Sequence, residues 1–233
     1  MRQWRALRAL SEPQRRSAYE FVCAHAGAVT RDDVAAGVGM SRALAAFHLD
    51  KLVDAGLLEA ATGGVPGGGK VGRPAKTYRR SDVQIDLSLP ARRYDIGGRV
   101  LARALQASVD GESPVDAVNR VAREQGSLIG GSARPAAARQ GHDRHPLGLA
   151  CRVLDGLGYS PMRHDGEATL ANCPFRALVE VAPELTCRMN HALIDGLIAG
   201  AGVAPDVTTS LEPGPGRCCV TLAVSSTPAP ATS

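Results

Sequence analysis

TRDDVAAGVGMSRALAAFHLDKLVDAGLLEA, residues 30–60, carries two short helical patterns on either side of a tight turn at Gly37-Val38-Gly39. Thr30 is a favourable N-cap for the first, with Asp32 and Asp33 in the opening turn where the helix dipole stabilises carboxylates. Ser41 caps the second, and Ala45, Leu49, Leu52 and Val53 recur at helical spacing as its buried stripe. Two helices joined by a glycine turn form a helix-turn-helix, whose second helix enters the DNA major groove; the bland alternative is a helical hairpin in an ordinary bundle. Opposite the stripe lie Arg42, Ala43, Ala46 and Phe47, with Asp50 on the same side. Ser41 and Arg42 open the helix next to the DNA. Arg42 reaches guanine or phosphate, Ala43, Ala46 and Phe47 meet base edges and thymine methyls, and Lys51 suits a phosphate. His48 lies beside the stripe and reads as a packed histidine.

The residues that follow extend this reading. Leu57 to Ala60 is strand-like, TGGVPGGGKVGRPA is a glycine-rich basic loop, and KTYRR resumes a strand. Two strands and a loop after a reading helix form a wing; a plain linker is the competing interpretation. The loop is too poor in apolar residues to pack and is expected to order on meeting a partner. Lys70, Arg73 and Lys76 are spaced to follow a phosphate backbone, and Gly72-Arg73-Pro74 resembles the core of minor-groove AT-hook segments.

Charge is partitioned accordingly. Residues 1–80 carry a net +6 and residues 81–233 a net −2, which places the basic surplus on the expected DNA-binding module. No apolar run reaches the roughly 18 residues of a membrane helix, and MRQWRALRAL lacks the apolar core of a signal peptide. The expectation is a cytoplasmic protein without membrane partners, its six cysteines starting as thiols or metal ligands.

Elsewhere the pattern predicts a helix capped by Ser11, running to about Ala26 and burying Tyr19, Val22 and Cys23, preceded by Trp4, Leu7 and Leu10 at helical spacing. A helix from Pro90 to about Asp110, with Tyr94, Leu101 and Leu105 on one side, reads as a linker or dimer helix. Ser113-Pro114 opens another, burying Val115, Val118, Val121 and Ala122. Residues 126–143, rich in Gly, Ala, Arg and Pro, read as a loop, with His142 and His145 exposed. Then come a helix with Leu147, Cys151 and Leu154 on one face, a hairpin around Asp165-Gly166, a turn at Cys173-Pro174, a short helix over 175–181, a long one from Pro183, and a final hairpin over 206–224. The fold class is therefore α+β. Residues 1–82 form a winged helix-turn-helix, 83–112 a linker or dimerisation helix, 113–226 a cysteine-containing α/β sensor domain with short antiparallel hairpins, and 227–233 a disordered tail.

Three segments of the second domain present cysteine at C-x13-C-x30-C: Cys173, Cys187 and the pair Cys218-Cys219. Strand alternation turns Cys218 inward with Val220 and Leu222, and Cys219 outward. Cys187 aligns with His191 along its helix, bringing His191 beside any metal the thiol holds. Converging thiolates suit a soft metal or an iron–sulfur cluster; the competing interpretation is a set of unconnected buried thiols.

SEPQRR, VGMSRALAAFHLDKLVDAGLLE and GRPAKTYRR together resemble the ArsR-like winged-helix transcription regulators over the first 80 residues. NCPFRALVEVAPELTCRMNHALIDGLIAG and PGRCCVTL are similar to the C-terminal half of SufR-type iron–sulfur repressors. The resemblance implies a homodimer that binds a double-stranded operator. It also implies a cluster held by Cys173, Cys187 and Cys218 that controls DNA affinity. No fourth cysteine has an obvious counterpart, so His191, Cys219 or an exogenous group is the expected fourth ligand. Zinc or a thiol switch at the same cysteines is the alternative. An enzymatic or small-molecule-binding second domain, with Cys187 as nucleophile and His191 as base, is a third reading; it lacks an orienting group, and no catalysis is expected.

Overall fold

The computed structural model describes residues 2–62, 75–139 and 145–225. Lys70, Arg73, His142 and the tail fall outside these residues. The chain divides into two compact units, residues 1–87 and 88–233. It is α+β, with helices beside two small antiparallel sheets. Among the described residues no helix is long and apolar enough to cross a membrane.

In the first unit, α1 (Arg2–Leu10) and α2 (Pro13–Ala24) precede α3 (Arg31–Val38) and α4 (Arg42–Asp54). Three strands, β1 (Val29–Thr30), β2 (Leu58–Thr62) and β3 (Lys76–Arg80), form a sheet in the order β1-β3-β2. Thr30 caps α3 through a reciprocal capping box with Asp33, and Gly39 ends it in the left-handed conformation. The Ser41 hydroxyl accepts from the Leu44 amide to start α4. Ala45, His48, Leu49 and Leu52 are buried, while Val53 sits at the edge of the core.

Two expectations for this unit need correction. Glu12, not Ser11, caps α2, because its carboxylate accepts from two backbone amides, those of Gln14 and Arg15; Tyr19 and Cys23 are only partly buried. On α1 the inward residues are Ala6 and Ala9, leaving Trp4 and Leu7 in solvent.

His48 is buried with neither ring nitrogen hydrogen-bonded, and the nearest charge is the Glu12 carboxylate at 3.5 Å. Burial, partly opposed by Glu12, holds its pKa below the usual histidine value. The unfolded chain therefore takes up a proton that the folded unit resists, and stability falls as the pH drops below about 6.5. Denaturant midpoints followed by the fluorescence of the single tryptophan, Trp4, are expected to decline across that window, and His48→Leu is expected to flatten the decline.

The second unit is built on α5 (Tyr94–Val109), α6 (Pro114–Arg139), α7 (Pro146–Gly156), α8 (Arg176–Val181) and α9 (Pro183–Gly200). Strands β4 (Pro161–His164), β5 (Glu167–Leu170), β6 (Val207–Leu211) and β7 (Val220–Val224) form a sheet in the order β4-β5-β7-β6. Asp165 and Gly166, both at positive φ, make the tight turn between β4 and β5.

The segment expected to be a loop over 126–143 is instead the C-terminal half of α6 up to Arg139. Its glycines are a packing device. A Cβ on Gly126 or Gly130 would overlap the carbonyl oxygens of Leu193 and Leu197 on α9. One on Gly196 or Gly200 would overlap those of Arg123 and Ser127 on α6. The two backbones thus lie in direct contact, and a composition that reads as a breaker in isolation is helical in this environment. Val115 is exposed rather than buried, and His145 caps α7 by accepting from the Leu147 amide.

The helix expected over 83–112 is α5, and it belongs to the second unit. Ile96, Val100 and Ala104 face inward within the core it shares with α6, so Tyr94 and Leu105 face outward and Leu101 lies at the margin.

Candidate functional site

Two sites emerge, one in each unit. On α4, Ser41 is the cap and Arg42, Ala43, Phe47 and Lys51 are exposed, with Ala46 half-buried. Phe47 is 52% exposed, a large aromatic left in solvent on the face opposite the core. The antiparallel β2–β3 pair follows, bringing Lys76 beside α4. The cations on this surface are already engaged. Arg42 Nε lies 3.1 Å from Asp32 Oδ1, Lys51 Nζ 3.9 Å from Asp54 Oδ2, and Lys76 Nζ 2.6 Å from Asp50 Oδ1. The Tyr78 hydroxyl donates to the same Asp50 oxygen at 3.3 Å. Asp54 is three residues from Lys51 on the same helix, a spacing visible in the sequence, whereas Asp32 and Asp50 are brought to their cations by tertiary structure.

In the second unit, Cys173, Cys187, Cys218 and Cys219 line one cavity of about 340 Å³, together with Arg176, Arg217 and the 213–216 turn. Cys173 stands in the turn before α8. That turn is pinned by Asn172, whose Nδ2 donates to the carbonyls of Ala91 and Gly158 at 2.9 and 2.6 Å, and by Arg92 Nη1, which donates to the Cys173 carbonyl at 3.3 Å. Cys187 is carried by α9. Cys218 and Cys219 precede β7, which begins only at Val220, so strand alternation does not apply to them. Both are buried, which corrects the expectation that Cys219 faces outward.

The Cys173 and Cys219 thiols both donate towards Cys218, and the Cys219 thiol also reaches the Cys187 backbone carbonyl at 4.0 Å. Cys218 is the acceptor at the centre. The Cys173 thiol, then the Cys219 thiol, the Val220 amide and Asn190 Nδ2 at 3.1 Å all donate to it. Against the cost of burial they lower its pKa to about 3. Donation to Cys218 and burial push Cys173 and Cys219 up. Asn190 is fully buried and is oriented by the Tyr159 hydroxyl, which donates to its Oδ1 at 2.7 Å. The sequence reading missed both Asn190 and Tyr159. Asn190 lies three residues after Cys187, a helical spacing that signals a shared face.

His191 does not join this cluster. Its Nε2 lies 2.9 Å from Thr209 Oγ1, and the Thr209 hydroxyl donates to Asp195, which also meets Arg123 at 3.2 Å. It therefore offers Cys187 neither a fourth ligand nor a base in this arrangement. Among the described residues, no group of three or more His, Cys, Asp or Glu side chains is arranged to hold a single metal ion. The four thiols share the lining of one cavity. Arg217 Nη1, at the same cavity, is buried and without a hydrogen-bond partner among the described residues.

Comparison of the chain with protein-family models, curated proteins and solved structures gives no match.

Proposed function

We propose that the protein is a DNA-binding transcriptional repressor, a winged helix-turn-helix of ArsR-like type. It acts as a cytoplasmic homodimer and is governed by an iron–sulfur cluster on Cys173, Cys187, Cys218 and Cys219. The observation that carries the DNA-binding half is the exposed outer face of α4, with Phe47 in solvent and the β2–β3 hairpin beside it. Four thiols on one cavity carry the sensor half. A cluster would supply redox- and iron-dependent occupancy there. The chain's part is mechanical: three segments, the Cys173 turn, α9 and the approach to β7, line one cavity. The Cys173 turn is bonded to residues 91–93, which lead directly into α5. Release of the cysteines thus reaches α5 through Arg93, whose amide donates to the Pro174 carbonyl one residue before the helix begins.

The outward stripe of α5 is the proposed seam between two copies, with Leu105 and Val109 respectively 68% and 75% exposed. Leu105→Glu is expected to give a monomer in sedimentation at micromolar concentration, the side chain being mostly exposed in its own protomer. A zinc site is the less favoured reading, because no three ligands converge on one point. A thiol switch remains the second reading, favoured by several free thiols on one cavity, with Cys218 Sγ accepting from Asn190 Nδ2 at 3.1 Å.

Selection from randomised duplexes tests the function. The full chain is expected to enrich two-fold symmetric sites with half-sites about one helical turn apart. Enrichment of no sequence contradicts the proposal.

A further inference from the structure

Within the described residues, each cation that the sequence assigns to DNA already has a carboxylate partner: Arg42 with Asp32, Lys51 with Asp54, and Lys76 with Asp50. A surface evolved only for phosphate attraction would leave its cations free, since a carboxylate on the DNA-facing surface repels the backbone and competes for each ammonium. Asp50 stands out among the three acids. It sits at the middle of the outward face of α4, one turn beyond Ala46 and Phe47. It takes the shortest of the three contacts and accepts from Tyr78 as well, so its carboxylate is held in place by two side chains of β3. Asp50, Lys76 and Tyr78 also line, with Thr30, Asp32 and Ala46, a concavity of about 600 Å³ between α3, α4 and the hairpin.

We infer that Asp50 is a specificity-determining residue of the α4 surface. It occupies Lys76 and repels phosphate on sequence-independent DNA, and in the cognate site it accepts a hydrogen bond from a cytosine amino group in the major groove. The inference rests on the DNA-binding function proposed above. On random DNA, the carboxylate gains no donor while its ion pair with Lys76 is strained by the approaching backbone. In the cognate groove, cytosine N4 supplies the donor, the pairing for which an acidic side chain is suited. Lys76 is then released to a phosphate. Exposed ion pairs contribute little to folding, so the fold tolerates loss of Asp50, and a change in binding reports on the DNA contact.

The test uses the full chain as wild type, Asp50→Ala and Asp50→Asn, with melting curves to establish folding. Each is titrated against a random-sequence duplex and a selected duplex across a salt series. Asp50→Ala is expected to bind the random duplex about three- to tenfold more tightly, with the log affinity–log salt slope steeper by about one unit as Lys76 gains a phosphate. Its preference for the selected duplex over the random one is expected to fall. Asp50→Asn is expected to move the preference at one position from cytosine towards adenine, whose edge matches an amide. Wild type binding the selected duplex, with Asp50→Ala unchanged in random-duplex affinity, slope and preference, overturns the role of Asp50 while leaving DNA binding intact. Wild type binding neither duplex overturns the DNA-binding function and this inference with it.

Discussion

Gly196→Ala is expected to destabilise the second unit by about 3 kcal/mol, the upper end of what overpacking a close contact costs. The added methyl lands on the Arg123 carbonyl, which is helix backbone and has no rotamer into which to retreat. Nor can α6 simply move away. Gly126 and Gly130 on α6 and Gly196 and Gly200 on α9 are interlocked, so relief at one contact opens a gap at the others. The proper control is Gly131→Ala on α6, where a Cβ meets only the Gly200 carbonyl at 3.7 Å, an ordinary contact. That change is expected to be neutral or to stabilise by about 0.5–1 kcal/mol, the ordinary helix preference for alanine. Chemical denaturation of both variants checks the pair. Equal midpoints for Gly196→Ala and wild type would mean that the helices are not in backbone contact.

The second large effect is on the cysteine site. Cys218→Ser is expected to remove bound iron and acid-labile sulfide from anaerobically purified protein, because the hydroxyl does not ionise at neutral pH and is a harder, weaker ligand for iron. Position 218 is the most sensitive of the four. It receives the Cys173 and Cys219 thiols, the Val220 amide and Asn190 Nδ2, a set of donors that stabilises an anion there. Cys219→Ser separates the proposal from the three-ligand arrangement implied by sequence. If Cys219 is the fourth ligand, its loss lowers occupancy; full occupancy in Cys219→Ser assigns the fourth position to another group.

The first unit was largely legible from sequence because its signals are local. Thr30, Gly39 and Ser41 act within a turn of where they stand, and the Ala45-Leu49-Leu52 stripe is a matter of periodicity alone. The second unit was legible in part, and the failures share a cause. In α6, Gly126, Gly130 and Pro135 carry a breaker signature locally, and only the facing glycines of α9 turn two of them into contacts. At Cys218-Cys219, alternation was applied two residues before the strand begins, so Cys219 was turned to the wrong side. On α9, His191 and Asn190 are both near Cys187 by helical spacing. Sequence alone does not say that Tyr159 waits on one side and Thr209 on the other. On α5 the apolar stripe of Tyr94, Leu101 and Leu105 was visible, but a second stripe of Ile96, Val100 and Ala104 was the one used for the core. The convergence of cysteines from three segments is likewise a product of topology: β5 pairs with β7, and the Cys218 amide donates to the Leu170 carbonyl at 2.8 Å, drawing the end of the chain alongside the turn that holds Cys173.

The central claim is that the state of the cysteine cavity sets DNA affinity. Fluorescence anisotropy of a selected duplex, titrated with anaerobically purified protein and then with the same preparation after chelation of its iron, measures that link directly. A coupling of ordinary size predicts affinities that differ by about tenfold or more between the two states. Identical affinities, with iron and sulfide present before chelation and absent after it, would contradict the account.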